Sequence, residues 1–188
     1  GMSIFAGLFI GVLIMTLITD SEGIKEHFGF VVTQTGFEPG DSLSAERFAT
    51  GSGVIIVHNL FVLFVFAILA ASYRSLGTMI ALGWNASVWA ITLSLFIKGE
   101  SSGTQFLHLV IVVAAVMPHL VVEAFGYVVG ALSGIFLSRG VVLYKYSDQR
   151  FQSVLMAVLI LAVSSVLLII AGGLIETNYT PWVLNLEN

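Results

Sequence analysis

The stretch that decides the fold is Phe151–Ile175, FQSVLMAVLILAVSSVLLIIAGGLI, which carries no charged residue. A bilayer's hydrocarbon core is crossed by roughly 20 helical residues, and an uncharged apolar run of this length reads as a transmembrane helix. Similar runs lie upstream, at about residues 2–19, 53–71 and 76–97. A longer one covers Thr104 to Ser138 and contains Pro118. Proline lacks a backbone N–H and breaks or kinks a helix interior. The residues therefore predict a short or re-entrant helix over 104–117 and a full span over 118–138. The fold class that follows is an all-α polytopic membrane helix bundle of about five spans, forming a single transmembrane domain over 1–188.

Composition agrees. Apolar residues make up 57% of the chain and charged residues 10%, against roughly 25% charged in soluble domains. The formal net charge of −4 and only seven Lys and Arg exclude the basic stripe that nucleic-acid binding needs. With no cysteine, disulfides, thiol catalysis and thiolate metal sites are excluded.

Orientation follows from Lys and Arg in short loops. With the N-terminus in the cytoplasm, Arg74, Arg139, Lys145 and Arg150 all fall inside. Residues 20–51, with six acidic side chains against Lys25 and Arg47, form an extracytoplasmic segment, and the C-terminus lies outside. Asp41 or Ser42 is expected to cap the second span. The expected location is the plasma membrane.

Ionisable and amide groups inside spans are costly and have partners or functions. They are few here: His58, Asn59, Asn85, His119, Glu123 and Glu176. Their positions along the spans place all of them in one half of the bilayer, where they can form one cluster. His119 and Glu123 are four apart and share a helix face. The same stripe continues through Gly126, Gly130 and Gly134, a tandem small-xxx-small pattern that lets helix backbones approach. Gly7 and Gly11 form a second GxxxG pair, and Ala157, Ser164 and Ala171 offer small residues at heptad spacing in the last span.

Three chemistries are open to the polar set. Hydrogen bonds between helices would fix the packing. His58, His119, Glu123 and Glu176 match zinc ligands in type and number, which would suit an intramembrane metal-dependent hydrolase. A broken helix at mid-depth would suit a transporter or channel component. Trp84 and Trp89 read as packing or lipid-facing aromatics.

Four stretches, in order, resemble the stage II sporulation protein M family. His58-Asn59-Leu60 is similar to that family's Asn-Asn-Leu segment. Leu76-Gly77-Thr78 with Trp84-Asn85 looks like its Gly-Thr…Asn-Gly pattern. Pro118-His119…Glu123 resembles its Pro-His-Gly…Glu signature, and Glu176…Thr180-Pro181 its closing Ile-Glu…Thr-Pro. This chain departs from the pattern at His58, Ala86 and Leu120. The resemblance implies a multi-span helical membrane protein acting as a non-enzymatic scaffold or assembly factor, with no cofactor. Its expected partners are the lipid bilayer, a second copy bound through glycine-bearing helices, and membrane or envelope proteins as clients. The namesake scaffolds peptidoglycan-remodelling enzymes during sporulation; this chain has no large outer domain for such enzymes, so the architecture carries over and the sporulation role does not.

Overall fold

A computed structural model describes residues 2–35, 52–99 and 105–184. Among these residues the protein is all-helical: α1 (Met2–Ile18), α2 (Ser21–Thr35), α3 (Ser52–Tyr73), α4 (Ser75–Gly99), α5 (Gln105–Leu143) and α6 (Gln149–Leu184). Four of them, α3 to α6, are long and apolar enough to cross a membrane, and α1 is a shorter apolar helix. At 1.5 Å per residue, α5 and α6 reach about 58 and 54 Å, longer than a bilayer is thick.

Apolar runs of this length suit a bilayer, where a chain must pair its own backbone groups and a helix does so within one segment. Neither α5 nor α6 shows the one-sided hydrophobicity of a soluble helix. Val142, Val163 and Leu167 are exposed while Tyr127, Ala131 and Ile169 are buried. Apolar side chains on both faces are what a helix between protein and lipid requires.

The turns are built by local chemistry. Arg74 closes α3 with a positive φ of 53°, and its carbonyl accepts the Thr78 N–H at 3.1 Å as α4 begins. That tight reversal brings Gly77 directly under the Leu69 carbonyl, where any side chain would collide. At the opposite end, Asp20 caps α2 by accepting the Gly23 N–H at 2.9 Å. The Lys98 ammonium donates to the Thr19 carbonyl, closing the C-terminal end of α1. Burial in this corner, partly opposed by the Asp20 carboxylate, holds the Lys98 amine below the ordinary lysine value of 10.5.

One feature differs from the sequence-based expectation. The helix over 104–117 and the span over 118–138 are one continuous helix, α5, with Pro118 inside it. Pro118 leaves the Ala114 carbonyl without its usual N–H donor. In the same turn, the next carbonyl, that of Ala115, accepts the Thr180 hydroxyl of α6 at 3.0 Å. Cover from a neighbouring helix is what lets proline persist inside membrane helices. The described part of segment 20–51 is helical. It forms α2, packed lengthwise along α4: Ile24 and Val31 share a core with Ile91 and Leu95, with Phe28 and Val88 packed against it. Residues 36–51, including the expected cap at Asp41 or Ser42, lie outside the described residues.

The main core joins α1, α3, α4, α5 and α6 around Tyr127, which is 1% exposed. Its ring meets Phe66 at 4.9 Å and Trp89 at 6.3 Å, and Trp89 in turn meets Phe5 at 5.5 Å. Trp89 therefore packs inward, whereas Trp84 is exposed.

Candidate functional site

The site is assembled on the antiparallel pair α5 and α6, which has the most extensive contact in the molecule. Small residues set its register. Gly140 faces Val154, and the Ser133 hydroxyl donates to the Val158 carbonyl at 3.2 Å. Gly130 leaves room for Leu63 of α3 beside Ser165, and Gly126 lies against Ile169. Gly134 lies against the backbone of α3 at Ala67 and Ala71. The glycine ladder of α5 is thus spent on the chain's own α3 and α6. Beside it runs an apolar groove of about 300 Å³, walled by Leu63 and Phe64 of α3 and Val166 of α6 and floored by Gly130 and Ser133.

One turn beyond Gly126 the interface becomes polar. Glu123 is 3% exposed, and its Oε1 accepts the Asn59 Nδ2 of α3 at 2.7 Å, the short end of the N–H···O range. Its side chain lies on Gly172, where an added Cβ would sit 2.5 Å from Glu123 Cγ. Glu176 is one turn further along the same α6 face as Gly172. A turn beyond that, the Thr180 hydroxyl gives its hydrogen to the Ala115 carbonyl, and His119 Nδ1 lies 3.4 Å from its oxygen. With the hydroxyl hydrogen so used, the imidazole faces the oxygen's lone pairs and donates from Nδ1. His119 is buried and Glu176 half-buried.

Asn59, His119, Glu123, Glu176 and Thr180 therefore gather on α3, α5 and α6. Two expected members stay apart. His58 is exposed: one residue turns a helix by about 100°, so when Asn59 faces Glu123, its neighbour faces outward. Asn85 is buried on α4, but its Nδ2 has no hydrogen-bond partner among the described residues. Its neighbours Leu82 and Ala86 pack in the core that holds Ala124 and Tyr127. No group of three His, Asp or Glu side chains able to hold a metal ion occurs among the described residues. Of the expected set of His58, His119, Glu123 and Glu176, His58 faces away from the other three.

Gly7 and Gly11 are exposed, and among the described residues nothing lies within 4 Å of where a Cβ would stand. In α6 the working small residues are Ser165, Gly172 and Gly173, which are buried, and not the heptad-spaced Ala157, Ser164 and Ala171 one position earlier. Gly172-Gly173, four residues before Glu176 in a run of Leu, Ile and Val, was the available signal. No family model, no curated protein and no solved structure matches this chain.

Proposed function

We propose that this chain is an integral membrane protein of about five crossings, a non-enzymatic scaffold or assembly factor of the kind its resemblance to the stage II sporulation protein M family implies. One observation carries the reading. Residues from three of the four resembling stretches, far apart in sequence, pair along one stretch of α5: Asn59 bonds Glu123 at 2.7 Å, and Thr180 lies 3.4 Å from His119. One polar contact ties α3 to α5 and the other ties α6 to α5, as pins between helices do.

The bundle's charge distribution supports a cytoplasmic N-terminus and an extracytoplasmic C-terminus in the plasma membrane. The α3–α4 turn carries Arg74, and the α5–α6 turn carries Lys145 and is flanked by Arg139 and Arg150. Gly134 against Ala67 and Ala71 brings these two turns to the same end of the molecule. Gathering Lys and Arg at one end is the mark of the cytoplasmic side. With Gly126, Gly130 and Gly134 occupied within the chain, the exposed Gly7 and Gly11 of α1 are the glycine face left for a second copy. Membrane or envelope proteins are the proposed clients.

The alternative, a transporter or channel component, draws on the same two carboxyl groups, Glu123 and Glu176, inside an apolar bundle. Reconstitution into liposomes separates the two. The scaffold gives no proton or cation flux above empty vesicles, and Gly7→Cys forms disulfide-linked dimers in membranes. Flux that Glu123→Gln abolishes overturns the scaffold in favour of transport.

A further inference from the structure

We infer that the apolar groove between α3, α5 and α6 holds one acyl chain of an anionic phospholipid, with the headgroup at Arg74 and Arg139. This site rests on the membrane reading above and adds a specific lipid to it.

The groove suits hydrocarbon in chemistry and in shape. Its only polar side chains are Ser133 and Ser165, and both hydroxyls are already spent. Ser133 donates to the Val158 carbonyl at 3.2 Å and Ser165 to the Ala162 carbonyl at 2.8 Å. A space with no free polar partner does not hold water. Along α3 the lining runs from Leu60 to Ala67, about 10 Å at 1.5 Å per residue. A volume of about 300 Å³ spread over that length gives a section of about 30 Å². A helix about 10 Å across has a section of about 80 Å², so a second copy's helix is too wide to enter, and a single acyl chain is not.

One end of the groove is closed and the other is open. On the Glu123 side, Gly126 lies against Ile169, and beyond it Gly173 of α6 lies against Ile56 of α3. In the opposite direction the same faces continue. Leu137 is one turn past Ser133 on α5, Ile68 one turn past Phe64 on α3, and Leu155 two turns before Ala162 on α6; all three are exposed. This direction leads to the end where positive charge gathers. Arg139 is six residues past Ser133 and Arg74 seven past Ala67, about 9 and 10 Å along the chain axis. Arg74, Arg139, Lys145 and Arg150 are all exposed. Among the described residues, the acid at this end is Asp148, whose carboxylate accepts the Arg150 N–H at 2.9 Å. Half of the bilayer's hydrocarbon core is about 15 Å deep, so a lipid whose phosphate meets Arg74 and Arg139 carries its chain into the groove. Basic pockets between helices on the cytoplasmic side are where anionic headgroups bind.

Photoactivatable lipids test this on the full-length protein. The protein is reconstituted in phosphatidylcholine vesicles holding a trace of phosphatidylglycerol or phosphatidylcholine with a diazirine near the end of one acyl chain. Adducts are mapped by peptide mass spectrometry. Phosphatidylglycerol adducts should fall mainly on residues 60–67, 130–137 and 162–166, and exceed those of phosphatidylcholine at least about fivefold. Arg139→Gln, at an exposed position, should reduce them about fivefold, the ~1 kcal/mol that one basic residue contributes near an anionic surface. Ala162→Leu, which fills the groove, should abolish them; Ser164→Leu, which adds bulk on the exposed face of α6, should not. Equal labelling by the two lipids, adducts spread evenly over the exposed helix faces, or no effect of Arg139→Gln overturns the site. Because the chain has no cysteine, disulfide-linked dimers of Phe64→Cys without groove adducts would put a second copy there and overturn the lipid. A protein that fails to float with the vesicles overturns the membrane reading itself.

Discussion

Gly172→Ala adds one methyl group at the centre of the polar site, and the structure assigns that methyl a cost. Its carbon would stand 2.5 Å from Glu123 Cγ, 3.3 Å from Oε1 and 3.4 Å from Cδ, where Cβ atoms keep at least 3.0 Å from other heavy atoms. Glu123 must shift by about half an ångström, and its Oε1 is held by Asn59 at 2.7 Å. Overpacking of this kind costs about 1–3 kcal/mol. A weakened intramembrane hydrogen bond costs roughly 0.6 kcal/mol more. Alanine returns about 1 kcal/mol through its better helix propensity. The net expectation is a loss of about 1–2 kcal/mol, or roughly 5- to 30-fold in the folding equilibrium. Unfolding of the purified protein by SDS titration in mixed micelles measures it. The sign should reverse when the obstacle is removed: in a Glu123→Ala background, Gly172→Ala should stabilise by about the propensity term alone. Gly7→Ala, with open space around it, should likewise be neutral or stabilising. If Gly172→Ala is as benign as Gly7→Ala in the native background, Glu123 does not lie on Gly172 and the site is wrongly built.

Other expectations follow from the same contacts. Glu123→Gln keeps an acceptor for Asn59 and should melt close to the native chain in detergent, whereas Glu123→Ala should melt lower. Thr180→Val strips the cover from the Ala115 carbonyl beside Pro118 and should cost about 0.5–1.5 kcal/mol, measured by the same SDS titration. Lys98 binds its proton less tightly in the folded chain than the ordinary value of 10.5, so the unfolded chain holds more protons over that window. Stability should therefore rise as pH climbs through the lowered value towards 10.5, stay flat below it, and lose that rise in Lys98→Met; unfolding midpoints across alkaline pH show it.

The long helices were legible because an uncharged run of twenty or more apolar residues has few alternatives in any solvent. Asn59, His119, Glu123 and Glu176 were legible because polar groups stand out where hydrocarbon makes them costly. What stayed hidden depended on partners distant in sequence. Read alone, Pro118 ends a helix; in the fold α5 runs through it, with Thr180 of α6 donating to the adjacent Ala115 carbonyl. Nothing local distinguishes His58 from Asn59 as the residue that faces inward, because both are polar and the apolar run around them marks no face. The same ambiguity put the small residues of α6 one position early. In α2, the charged first turns concealed the apolar residues Ile24, Phe28 and Val31, which pack along α4.

The central claim is that α3, α5 and α6 are pinned together at Glu123. A double-mutant cycle of Asn59→Ala and Glu123→Ala, unfolded by SDS titration, tests it most directly. The two losses should fail to add, with a coupling of about 0.6–1.7 kcal/mol, the range of hydrogen bonds between membrane helices. Strict additivity would mean that these side chains do not bond, and would contradict it.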